Sequence, residues 1–131
     1  MSDFIAIPNL SPAFDSEYHT NGLIQRAAEF VIEFANGLNI EGAEPQIYEE
    51  EGKAPMLIFT YEGNGAKNVM LYGHLDKQPH LTGDWSEGLG PVTPVIKDDC
   101  LYGRGGADDG YAAFATLFAL KNCLEQGVAV P

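Results

Sequence analysis

Cysteine is nearly missing from this sequence: Cys100 and Cys123 are the only two in 131 residues, and they form no CxxC pair. No disulfide framework can be built from them, which fits a reducing, cytoplasmic compartment. Basic residues are also scarce. Seven Lys and Arg against 19 Asp and Glu give a formal charge of −12. Such a surface argues against nucleic acid or an anionic membrane as a partner. No apolar run approaches the length needed to span a bilayer. The opening segment MSDFIAIPNLSP lacks the basic and long apolar regions of a signal peptide. Internal repeats and low-complexity linkers are missing as well.

What remains is the composition of one globular domain, with 45% hydrophobic and 20% charged residues. Glu41, Glu44, Glu49, Glu50 and Glu51 cluster in one short region and read as a solvated face. The spacing of apolar residues predicts a helix over 21–38. Leu23, Ala27, Phe30, Val31 and Phe34 face inward, Gln25, Glu29, Glu33 and Asn36 face water, and Thr20 or Asn21 caps the start. Strands are expected at 45–49 and 56–61, with a Gly-Asn-Gly turn at 63–65 leading by a hairpin to 68–73. That last stretch, NVMLYG, is apolar on both faces of the pleat, as a central strand covered on both sides would be. A loop over 79–91 precedes a short hairpin, 92–97 and 100–103, turning at Asp98-Asp99. A second helix is expected over 108–126, with Phe114, Leu117, Phe118, Leu120 and Leu124 inward and Gly127 as its stop. The fold class is therefore α/β, a mixed and largely parallel twisted sheet with flanking helices, broken off in mid-sheet at the terminal VAVP.

Ligands of open α/β sheets sit beyond the carboxyl ends of the strands, and His74 and Asp76 stand at that end of the expected central strand. A neutral imidazole there can ligate a metal, while an acid two residues on can turn back to its other nitrogen and fix the tautomer. Alone, a His-x-Asp pair also occurs as a loop histidine with an incidental neighbour. Downstream, Asp108 and Asp109 follow Gly103, Gly105 and Gly106 at a helix start. Alone, that pair reads as an N-cap with a second acid in the first turn; the functional alternative is a carboxylate bridging two metal ions. His19 reads as a surface residue and His80 as a solvent-exposed loop residue. Cys100 and Cys123 read as packed in a strand and a helix, and Trp85 either lines a cleft or packs on the domain.

Together, LYGHLDKQP, Trp85 and LYGRGGADDG, with 34 residues from His74 to Asp108, resemble the co-catalytic di-zinc peptidase and deacylase family. That family includes carnosine-type dipeptidases, aminoacylase, acetylornithine deacetylase and succinyl-diaminopimelate desuccinylase. The His-Leu-Asp-x-Gln-Pro form is most similar to the dipeptidase branch, and IAIPNLSP is similar to the family's opening segment. The resemblance implies hydrolysis of a dipeptide or an N-acyl amino acid at a site with two zinc ions. It implies His74 as a ligand of one zinc, Asp108 as the carboxylate bridging both, and Asp76 as the active-site acid that orients His74. Asp109 would follow across a cis peptide bond. One departure is Asp108-Asp109-Gly110-Tyr111, where many dipeptidases carry Asp-Asp-Lys-Gly.

In the family the general-base glutamate, further acidic and histidine ligands, and a lid domain that makes the homodimer all lie downstream. Residues 1–131 are thus expected to be the amino-terminal part of a catalytic domain, inactive by itself. The competing reading is a non-enzymatic peptide- or partner-binding domain of the same ancestry. A nucleotide-binding turn at Gly103-x-Gly105-Gly106 is the weakest reading, since its spacing is not G-x-G-x-x-G and no long strand precedes it.

Overall fold

The computed structural model describes residues 1–65 and 67–131. A short helix, α1 (Ser2–Ile5), opens the chain, and α2 (Leu23–Leu38) follows. The 3.6-residue apolar period of α2 buries Ile24, Ala27, Ala28, Val31 and Ala35 on one face. The Asn21 side chain accepts from the Leu23 amide at 3.0 Å, so a polar side chain does serve the start, just ahead of a left-handed Gly22 at the N-cap.

Two antiparallel hairpins come next. Strands β1 (Ala43–Tyr48) and β2 (Met56–Tyr61) pair from Ala43↔Tyr61 to Tyr48↔Met56. This hairpin closes through 49–55, and the hairpin expected from 56–61 through the Gly-Asn-Gly turn to 68–73 is not found among the described residues. Strands β3 (Val95–Lys97) and β4 (Cys100–Tyr102) turn at Asp98 and Asp99, both at positive φ. Two such residues in a two-residue loop match the right-handed twist of the flanking strands. Both sheets are antiparallel, and among the described residues the parallel contact is a single bridge, Leu10↔Lys77.

The second long helix, α3 (Tyr111–Glu125), begins three residues later than Asp108, the expected start, with Gly110 at its N-cap. It stops where expected. Gly127 adopts φ +67, its amide bonds to the Leu124 carbonyl, and the Val128 amide bonds to the Cys123 carbonyl. Those two bonds are the paired 5→2 and 6→1 contacts that satisfy the last carbonyls of a helix.

The core lies between α1, α2 and α3. Phe114 is its hub, with edge-on contacts to Phe4 at 5.4 Å, Phe34 at 5.0 Å and Phe30 at 6.1 Å. Of the residues expected inward on α3, Phe114 and Leu117 are buried, whereas Phe118 is exposed. Cys100 is exposed on its strand and Cys123 is half-buried, so the expected packing of Cys100 is not found.

The largest correction concerns 68–73. It forms no strand, and Val69, Met70, Leu71 and Tyr72 are all exposed, Met70 at 92%. Its apolar character is real, but no described strand lies alongside to accept its amides and carbonyls. A strand exists only as part of a ladder.

Candidate metal centre

The apolar run ends at Gly73, where an added Cβ would stand 2.7 Å from the Ala112 Cβ. This close approach lays the start of the His74 loop against the first turn of α3. The His74 amide reaches the Asp109 carboxylate at 3.3 Å. His74 thus lies beside the segment that carries Asp108, although 34 residues separate them.

His74 Nε2 stands 3.2 Å from Asp108 Oδ1. On the other side of the ring, Nδ1 lies 2.8 Å from the Asp76 backbone carbonyl and 3.2 Å from its Oδ1. Donation from Nδ1 to Asp76 leaves Nε2 with a lone pair directed at the Asp108 side. Burial opposes protonation of His74. The Asp76 carbonyl, the Asp76 charge and then Asp108 outweigh it, so the pKa is raised above the ordinary imidazole value.

The peptide bond joining Asp108 to Asp109 is cis. The Asp108 side chain is 64% exposed, whereas Asp109 turns inward to the His74 amide. Each of the two acids therefore has a separate task. Sequence reasoning gave Asp109 no side-chain role, and no spacing rule would have supplied one.

The donor set fits part of a zinc site. Two ligands of a tetrahedral zinc, each about 2.0–2.2 Å from the ion, stand roughly 3.3–3.5 Å apart, close to the observed His74–Asp108 separation of 3.2 Å. Among the described residues, no group of three or more His, Cys, Asp or Glu side chains converges. A complete hydrolytic zinc site takes about three protein ligands and a water, so this pair by itself is too few ligands for one.

The other sequence candidates lie apart from this pair. His19 is exposed and meets Tyr18 edge-on at 5.3 Å. His80 is half-buried where an exposed residue was expected, and its Nε2 has no hydrogen-bond partner. Burial, with the Lys77 and Arg104 charges, lowers its pKa. Trp85 packs on the domain, donating Nε1–H to the His80 carbonyl at 2.8 Å beneath the Arg104 guanidinium. An open depression of about 540 Å³ lies elsewhere, lined by Asn39, Tyr61, Lys121 and their neighbours.

A histidine and an aspartate are thus brought together at the end of an apolar segment in an α/β fold. Comparison with known proteins identifies the family. Residues 70–131 match peptidase family M20/M25/M40. An uncharacterized metallohydrolase of Methanocaldococcus jannaschii is 31% identical over 97% of this chain and 32% of its own length. Succinyl-diaminopimelate desuccinylases of Gluconacetobacter diazotrophicus and Wolbachia pipientis are 33% and 40% identical. They cover 70% and 65% of this chain, and 23% and 21% of their own lengths. The chain belongs to peptidase family M20/M25/M40, a family of hydrolases. It spans about a third or less of the length of these curated relatives. No described helix is long and apolar enough to cross a membrane.

Proposed function

We propose that this chain is the amino-terminal part of a catalytic domain that hydrolyses the amide bond of an N-acyl amino acid or a dipeptide. The observation that carries the reading is the 3.2 Å approach of His74 to Asp108, within a chain of this family. His74 and Asp108 would hold zinc, and Asp76 would keep the His74 ring in the tautomer that leaves Nε2 free. The chemistry that two zinc ions supply when bound is Lewis-acid activation of water and of the scissile carbonyl. The desuccinylases among the relatives favour an N-acyl amino acid over a dipeptide as substrate. A cytoplasmic location accords with the two unpaired cysteines.

The remaining ligands and the general base would come from sequence outside these residues. The 131-residue chain alone should therefore bind zinc but turn over neither substrate class. Calorimetric titration with zinc should show binding that is lost in both His74→Ala and Asp108→Ala. Zinc binding untouched by either substitution, or turnover by the isolated chain, would overturn the reading.

A further inference from the structure

Lys77 is fully buried, which is unusual for a lysine. Its ammonium donates to three backbone carbonyls of the opening segment: Phe4 at 2.8 Å, Ile5 at 3.0 Å and Ile7 at 2.5 Å. It also sits 4.8 Å from the centre of the Phe4 ring. Among the described residues no carboxylate forms an ion pair with it. A buried charge held by carbonyls alone is costly to place. Burial lowers its pKa to about 8, which leaves it protonated at neutral pH. The three carbonyls work in the opposite direction, because they stabilise only the charged form.

The contacts show what this charge joins. The Lys77 amide bonds to the Asn9 carbonyl at 3.0 Å, the Ser11 amide to the Lys77 carbonyl at 2.8 Å, and the Asn9 side chain to the Leu75 carbonyl at 2.8 Å. The loop leaving His74 is thus strapped to residues 9–11 by its backbone and to residues 4–7 by the ammonium. The aliphatic stem of Lys77 then packs on Gly105, where an added Cβ would meet Cε at 2.7 Å and Cγ at 2.8 Å. The Gly105 carbonyl receives the Gly110 amide at 3.1 Å. His74 lies three residues before Lys77, and Asp108 lies three residues after Gly105. One side chain therefore touches the opening segment, the His74 loop and the glycine loop that delivers Asp108.

We propose that Lys77 is a positioning residue for the His74–Asp108 pair, acting as a tethered cation in a cage of Phe4, Ile5 and Ile7 carbonyls that holds the two loops in register. The inference rests on the reading of the pair as metal ligands for one of its two readouts only. The first readout needs no metal: the His74 ring-nitrogen shifts in the 131-residue chain, and the part of them that Asp108→Asn removes. The second is cobalt(II) affinity.

Lys77→Met keeps the stem and removes the charge. It should abolish the Asp108-dependent shift and weaken cobalt binding about 10- to 100-fold, as loss of a supporting contact to a metal ligand typically does. Val31→Ala, a remote core change that also lowers stability, should alter neither. In Lys77→Ala, n-propylammonium replaces the missing three carbons and the ammonium. It should restore both signals, whereas propyltrimethylammonium, which cannot donate a hydrogen bond, should not.

A Met variant that keeps the shift and binds cobalt within about twofold of the parent overturns the proposal, as does equal loss in Val31→Ala. If the Met variant does not fold, the Ala variant decides. Recovery of fold and shift with n-propylammonium supports the proposal, and failure to recover overturns it. If the parent chain binds no cobalt yet Lys77→Met erases the shift, the metal reading falls and the role of Lys77 stands.

Discussion

Strand β2, MLIFTY, and the run VMLY at 69–72 draw on the same kinds of residue, yet only the first has a ladder partner. In β2 the burial alternates, with Leu57 and Phe59 packed against the helical core and Met56 and Ile58 turned outward. In the run, Val69, Met70, Leu71 and Tyr72 are exposed without alternation. Apolar composition states that a segment gains by burial. It does not supply the neighbours that would bury and pair it; β2 has the helical core for its side chains and β1 for its backbone. The candidate centre lies at the boundary between these two conditions: His74 leaves the bare run, and Lys77 and Gly105 belong to the packed part.

Breaking the packed part should have the largest effect. Phe114→Ala removes the ring shared by Phe4, Phe30 and Phe34, and an aromatic-to-alanine change at a buried site typically costs about 3–5 kcal/mol. Urea denaturation should show a loss of that size, or a chain unfolded in buffer. A loss below about 1 kcal/mol would mean that Phe114 is not the hub of the core.

The elements that local rules determine were legible in the sequence: α2 from its period, the Asp98-Asp99 turn from its residues, and the end of α3 from Gly127. The proximity of His74 and Asp108 was legible only through two motifs taken together, because neither loop announces the other. Other features were not legible. The exposure of 69–72 depends on a missing neighbour, the late start of α3 on the turn through Gly110, and the burial of Lys77 on carbonyls 70 to 73 residues away. A lysine in a polar string gives no local sign that it will be buried, and the same holds for the Asp109 carboxylate under the His74 amide.

The boundary itself can be probed by pH. The His74 pKa is raised because the Asp76 and Asp108 contacts outweigh burial. A raised folded-state value means that this stabilisation is fully present below the ordinary imidazole pKa and is lost as pH climbs through the raised one. Metal binding runs the other way, since only the neutral ring can ligate. Zinc affinity should fall about tenfold per pH unit below the His74 pKa, with one proton displaced per imidazole bound. The metal-free chain should meanwhile lose the His74 contribution on the alkaline side, a change missing in His74→Ala. Zinc affinity independent of pH between about 5 and 7 would remove His74 from the ligand set.

The smallest expected effect tests the bare run directly. Leu71 is 66% exposed, so Leu71→Lys removes little buried surface and should change stability by no more than about 0.5 kcal/mol, the usual range for surface substitutions. Leu57→Lys makes the same chemical change on a half-buried residue of β2 that packs on the core, and should cost clearly more. An exposed apolar run with no partner strand among the described residues is also a template for another edge. The charge at 71 should therefore lower any self-association seen by sedimentation while leaving the denaturation curve in place. Equal costs at 57 and 71 would show that the run is covered in solution, and a cost that varied with protein concentration would identify the cover as a second copy of the chain. A near-zero cost at any concentration would leave the two runs as different as they stand here: alike in composition and separated by the presence of a partner strand.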